Sequence, residues 1–266
     1  VADGLPVSAA AEVSRVLRPD GGVAVLGRPA RGKHGFPSEF LSAWLESSGT
    51  EGELQVSDDG VWARVVRPPL NGAGEWSHLY GRADNAAFGG EMLSGVRSSS
   101  DLRVQWIGRP GPRGQPDRNG RKPSPLSTGG RLFVQGSHRL MGLDAYNGTI
   151  LWGLEIPLLE RFNMPRDSSN WCADKEHLFV AIRNRCWQID ALSGQVVKFH
   201  APIAAKRRGW KYDWSYLARL GETILGSSVK SGTGYTNFWG GAGAGWYDAR
   251  SGPATFKVCS DNLFAI

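Results

Sequence analysis

The sequence predicts a mainly β chain: an incomplete β-propeller of four-stranded antiparallel blades, preceded by a small α/β segment. Three observations predict it. The stretch Gly142-Leu-Asp-Ala-Tyr-Asn-Gly-Thr-Ile-Leu-Trp152 returns as Gln188 to Lys198, and again as Trp246 to Phe256. Its step is fixed, because Asp144 to Asp190 and Gly148 to Gly194 are both 46 residues. Residues 1–66 have a different texture, with helix-spaced and strand-spaced apolar residues in turn.

One copy of the repeat can be read physically. Arg131 to Val134 and Leu140 to Leu143 are short apolar strands. Asp144 to Gly148 turns the chain, with Asp at its head and Gly where a positive φ is cheapest. Thr149 to Trp152 is the next strand, so the unit is an antiparallel meander. A repeat of about 40–50 residues holding about four such strands is one propeller blade. A blade is too small to bury its own faces and must pack on its neighbours.

Composition narrows the class. The chain has 266 residues, 41% hydrophobic, with 36 Gly and 11 Trp, which fits a turn-rich globular protein that fills its seams with indoles. The net charge is +6, but the basic residues are scattered apart from 103–122 and Lys206-Arg-Arg208, so no nucleic-acid partner is expected. No run approaches the roughly 18 apolar residues of a membrane span, and no leader pattern opens the chain. Cys172, Cys186 and Cys259 allow at most one disulfide, and no Cys-x-x-Cys suggests a zinc ribbon or attached haem.

The α/β segment comes first, at 1–66. Ser8 to Leu17 has helical spacing, and Pro19 with Gly21 and Gly22 stops it. Val23 to Leu26 is an apolar strand. Pro37 to Leu45 is a second helix with Phe40, Leu41, Trp44 and Leu45 on one face. Glu53 to Val56 and Val61 to Val66 form a hairpin around Asp58-Asp59-Gly60. Residues 67–130 are a linker and lead-in to the propeller, broken at Pro68-Pro69 and Asn71-Gly72. Residues 131–266 carry the repeats.

Asp190 to Asp248 is 58 residues, 12 beyond the basic step, and the Gly-rich stretch 232–245 accounts for the excess as a rim insertion. It lacks the Gly-Lys-Ser/Thr ending of a phosphate loop. The final residues, 260–266, resemble 175–181 and should open another blade. Val1 is not a start Met and the last repeat is unfinished, so truncation at both ends is expected. Three repeats leave strand edges open for association.

Residues 142–152 resemble the tryptophan-docking motif of pyrroloquinoline-quinone (PQQ)-like β-propellers, roughly Ala-x-Asp-x-x-Thr-Gly-x-x-x-Trp. Gly142 stands for the Ala and Asn147 for the Thr. The resemblance implies that Asp144, Gly148 and Trp152, Asp190 and Gly194, and Asp248, Gly252 and Phe256 are structural repeat positions, with the Trp packed between blades. Lys198 and Phe256 at the Trp position make the later copies degenerate. The lead-in Gly74 to Asn85 is similar to the segment ahead of the first full blade in this family, and Asp101 to Trp106 to the strand that follows.

Glu12 to Leu26, with Leu17-Arg-Pro-Asp-Gly-Gly22 ahead of its strand, resembles the C-terminal third of class I S-adenosylmethionine-dependent methyltransferases. The glycine-rich turn and acidic residue that bind that family's cofactor lie before the part represented here. The order of the two parts is similar to that of large planctomycete-type fusion proteins.

The resemblances imply a non-catalytic binding or scaffold module with no cofactor, outside the cytoplasm, holding a protein or small-molecule ligand on a propeller rim. One alternative is a quinoprotein dehydrogenase fragment with PQQ and Ca²⁺; the vicinal Cys-Cys pair of many such enzymes does not occur here. Another is part of a methyltransferase fusion. A lipoprotein-like propeller of outer-membrane protein assembly also shares the motif, without the lipidated Cys expected near a leader. His78, beside Trp76 and Tyr80 with no second His nearby, reads as a packed or hydrogen-bonded structural residue. No catalytic or metal-binding residue is assigned.

Overall fold

A computed structural model describes residues 9–29, 37–47, 49, 52–108, 124–136, 138–157, 159, 170–203, 209–231 and 262–266. The chain forms two compact units, Val1–Ala73 and Gly74–Ile266.

The first unit lays two helices on one face of a three-stranded antiparallel sheet. Its elements are α1 (Ala9–Val16), β1 (Val23–Pro29), α2 (Ser38–Ser47), β2 (Gly52–Ser57) and β3 (Gly60–Val66), and the strand order is β1-β3-β2. The predicted face of α2 does the packing. Leu41 and Trp44 are buried on Ala63 and Val65, with Phe40 and Leu45 at the margin. In and just after α1 the inward stripe is buried Ala10 with partly buried Val13 and Leu17, while Val16, which fits the same spacing, faces outward. After the helix ends, Asp20 (φ 59°) and Gly21 (φ 102°) turn left-handed within the turn that the Gly22 amide closes onto the Arg18 carbonyl at 2.9 Å. Arg67 holds that end, its guanidinium donating to the Arg15 carbonyl at 2.6 Å. Arg67 and Pro68 also pair through their backbones with residues 20–22, so the chain leaves the sheet only after Pro68.

The second unit repeats one sheet. The first blade is β4 (Leu126–Thr128), β5 (Arg131–Gln135), β6 (Arg139–Asp144) and β7 (Ile150–Glu155), paired antiparallel in sequence order. The second blade is β8 (Trp171–Ala173), β9 (His177–Ile182), β10 (Arg185–Asp190) and β11 (Val196–His200), again in order. A third sheet follows, with β12 (Tyr212–Leu220), β13 (Thr223–Lys230) and β14 (Asn262–Ala265). The first strands lie together, β4 and β12 both packing on β8.

Side-chain alternation explains why blade two is apolar on both faces. From it, Trp171, Leu178, Val180, Ile182 and Ile189 point to blade one and join Leu126, Phe133, Leu140 and Trp152. Cys172, Phe179, Ala181 and Cys186 point the other way and join Trp214, Leu217 and Ile224 of the third sheet. A strand covered on both faces reads as a continuous apolar run, and Leu178-Phe-Val-Ala-Ile182 is one. Each large side chain so buried contributes about 1.5–3 kcal/mol. No helix among the described residues is long and apolar enough to cross a membrane.

Two expectations are corrected. Residues 262–265 do not open another blade; they pair antiparallel with β13, Leu225 opposite Ala265 and Ser228 opposite Asn262. An open strand edge and an aromatic slot decide the placement. Phe264 meets Trp214 edge-on at 5.0 Å and covers Gly226, where a Cβ would lie 2.7 Å from its ring. Asp101 starts no strand: it closes a short helical turn, accepting the amides of Arg97 and Ser98 at 2.8 and 3.0 Å. Residues 102–108 run on with no ladder partner among the described residues.

Cys172 and Cys186 are both buried free thiols. They flank β9, opposite Phe179 and Ala181. Two strand spacings put their backbones about 10 Å apart, beyond the roughly 7 Å reach of a disulfide. Burial pushes the Cys186 thiol up to about 12 and that of Cys172 well above its ordinary value. A thiolate-seeking reagent is therefore expected to leave both unlabelled in the native chain near neutral pH and to label both in denaturant. Peptide-resolved mass spectrometry checks this, and native-state label on either residue would contradict the packing of this seam.

Candidate functional site

The repeat positions assemble the joints between blades. Asp144 is buried, and its Oδ1 accepts the amides of Tyr146 and Asn147 at 2.8 and 3.2 Å. Its carbonyl accepts the Gly148 amide at 2.9 Å. Asp190 repeats the arrangement one step later. Its Oδ1 takes the Leu192 and Ser193 amides and the Ser193 hydroxyl, and its carbonyl takes the Gly194 amide at 2.9 Å. The Ser193 hydroxyl and then its amide hold the Asp190 carboxyl below its usual range. Gly148 and Gly194 sit at φ 72° and 73°, where a side chain would be strained.

These turns are the floors on which indoles dock. Trp152 leaves β7 of blade one and lies over the Asp190 turn of blade two. Its Nε1–H donates to the Ala191 carbonyl at 3.1 Å, and a Cβ on Gly194 would come within 2.6 Å of its ring. Only 8% of Trp152 is exposed, and its ring centroid is 6.0 Å from that of Phe133. Behind it, a Cβ on Gly142 would lie 2.4 Å from the indole. The glycine that stands for the motif's Ala therefore gives the ring its room.

Sequence reasoning missed a second docked indole. Trp106 Nε1–H donates to the Ala145 carbonyl at 2.9 Å, and a Cβ on Gly148 would come within 2.6 Å of its ring. Trp106 and Trp152 are 46 residues apart, as are Ala145 and Ala191. The spacing was the signal. Trp106 is the docking residue of a preceding repeat, applied to blade one as Trp152 is applied to blade two.

At the next position the chemistry changes. Lys198 stands in the exposed β11 where the indole would be, and Gln188 replaces Gly142. Gln188 Oε1 is 2.9 Å from His200 Nε2. A polar pair thus stands on the strands where the glycine and indole stand one repeat earlier. Asp248, Gly252 and Phe256, together with Cys259 and the insertion 232–245, lie outside the described residues.

Blade two and the third sheet share a charged joint. Arg219 Nε is 2.6 Å from Asp174 Oδ2, and its guanidinium lies over Phe179 at 4.8 Å from the ring centroid. Near it runs the lead-in segment. Trp76 and Ser127 form an antiparallel bridge, and buried His78 has Nδ1 2.8 Å from the Ser77 Oγ. Its Nε2 accepts the Arg219 amide at 3.0 Å.

Repeated four-stranded blades joined through docked indoles define an incomplete β-propeller with a small α/β unit ahead of it. No protein-family model matches the chain. No curated protein matches it. Three solved structures are similar in part. BamB from Moraxella catarrhalis is 17% identical over 39% of this chain and 33% of that one, with TM-score 0.28. A europium-containing methanol dehydrogenase is 13% identical over 42% and 26%, with TM-score 0.33. The quinohemoprotein alcohol dehydrogenase of Comamonas testosteroni is 14% identical over 40% and 16%, with TM-score 0.30. The chain spans a third or less of the length of each.

Proposed function

We propose that the propeller unit is a non-catalytic binding or scaffolding module of the PQQ-like repeat type. One observation carries the reading: the polar atoms that the repeats supply are spent on the fold. The carboxylates of Asp144 and Asp190 hold their own turn amides, and the Trp106 and Trp152 N–H groups hold the carbonyls of the next turn. A quinone site of the alternative kind needs a Ca²⁺ with six to eight oxygen ligands. Asp144 and Asp190 do not fit that use, since each is committed to a turn. The ligand or protein partner would sit on a rim of the blades, in an extracytoplasmic setting.

Titration of the folded chain with PQQ and Ca²⁺, followed by cofactor absorbance and thermal melting, tests this. Neither saturable binding nor a raised melting temperature is expected. Saturable one-to-one binding with stabilisation that grows with ligand concentration would replace this reading with the quinoprotein one.

The first unit supports the methyltransferase-end resemblance at the level of order: helix, strand, helix, then an antiparallel hairpin. We assign it a structural part in a fusion and no methyl transfer of its own. Saturable S-adenosylmethionine binding by this chain in calorimetry would overturn that assignment.

A further inference from the structure

Ser127, Ala173 and Arg219 are spaced by 46 residues and stand at one repeat position, in β4, β8 and β12. Their backbone N–H groups go to three consecutive residues of the lead-in. Ser127 donates to the Trp76 carbonyl at 2.8 Å and accepts the Trp76 amide at 2.7 Å. Ala173 donates to the Ser77 carbonyl at 2.9 Å. Arg219 donates to His78 Nε2 at 3.0 Å. Residues 76–78 are thus a strap across three sheets. Two of its ties end on backbone carbonyls, which do not titrate near neutral pH. The third ends on an imidazole.

For Nε2 to accept, its lone pair must be free, so the ring hydrogen is on Nδ1 and is donated to the Ser77 hydroxyl. A proton added at Nε2 would set that N–H against the Arg219 N–H, donor to donor. We propose that His78 is a pH-sensitive latch. Neutral, it ties the Arg219 end of β12 to the strap; protonated, it lets that tie go, while the Ser127 and Ala173 ties and the seam with blade two stay in place.

The charged groups near the latch lie on its own segment and around Arg219 on β12. On the strap's own segment, the Asp84 carboxylate favours the protonated ring. On β12, Arg219 carries a positive charge that is paired with Asp174, between β8 and β9, and with Glu222 at 3.4 Å, after β12. Burial is the largest influence and holds the imidazole below its ordinary value of 6.5. The folded state therefore takes up the proton less readily than the unfolded chain. The latch's stabilisation is whole above about pH 6.5 and fades as pH falls from there through the folded value.

Amide exchange by NMR on the full chain tests the latch, with the His78 ring followed in the same samples. The acidification runs from about pH 8 to about pH 5, the range in which histidine titrates. After correction for intrinsic rates, protection of the Arg219 amide is expected to fall in step with protonation of the ring. The Ser127 and Ala173 amides should keep theirs. In His78→Gln, whose side-chain carbonyl accepts without titrating, Arg219 should stay protected throughout. The proposal fails if Arg219 loses protection only together with Ser127 and Ala173, or if the ring titrates while Arg219 is unaffected. Should the variant not fold, the three wild-type amides decide alone.

Discussion

Trp152→Ala is expected to destabilise the propeller unit by about 3–5 kcal/mol, the range for truncating a buried large aromatic. The indole fills the seam between the first two blades, against Phe133 and above Gly194. Its removal opens a cavity lined by residues of both blades, and the cost grows with the volume that stays open. It also strips the Ala191 carbonyl of its donor, and an unmade buried hydrogen bond costs about 1–3 kcal/mol of the same total. Whole domains are stable by about 5–15 kcal/mol, so a loss of this size is a large fraction.

Repeat units are coupled through their nearest neighbours. Loosening this seam should therefore split unfolding as well as lower its midpoint. Urea denaturation followed by tryptophan fluorescence and by far-ultraviolet circular dichroism is expected to give two non-coincident transitions in the variant. Trp152→Phe separates the contributions: it keeps most of the packing and loses the N–H, so its cost should be clearly smaller. A Trp152→Ala midpoint equal to wild type would show that the indole does not hold the seam.

Much of this seam was legible in the sequence, for a physical reason. A turn that needs an acidic cap and a left-handed residue leaves Asp and Gly at fixed offsets, as at 144, 148, 190 and 194. A docked indole likewise demands a Trp. Trp106 escaped notice because its own repeat offers Ser98 and Leu102 where Asp and Gly would stand, although its spacing to Trp152 was readable. The lead-in and a packed or hydrogen-bonded His78 were legible, but the strap's ties were not. Its ties use the backbone N–H groups of Ser127, Ala173 and Arg219, and a main-chain donor places no demand on residue type. The strand at 262–265 misled because Leu-Phe-Ala suits the second strand of a new blade and the third strand of an old one equally. Only the free edge of β13 and the slot beside Trp214 distinguish the two.

Gly194→Ala should cost about 2–5 kcal/mol, from two sources that can be separated. At φ 73° an alanine adopts the left-handed conformation, at about 1–2 kcal/mol. Its Cβ would also lie 2.6 Å from the Trp152 ring, and forcing atoms into a filled seam costs about 1–3 kcal/mol more. The second source exists only while the indole is present. In a Trp152→Ala background the same substitution should therefore cost the conformational part alone. The double-mutant cycle, measured by urea denaturation, is expected to show a coupling of about 1–3 kcal/mol between positions 152 and 194. It should have the sign of a clash relieved: the double variant is less damaged than the sum of the singles. Additivity within about 0.5 kcal/mol, the level typical of sites without contact, would mean that the indole does not lie on that turn. The glycine would then serve the turn alone, and the docking of blade on blade would lose its floor.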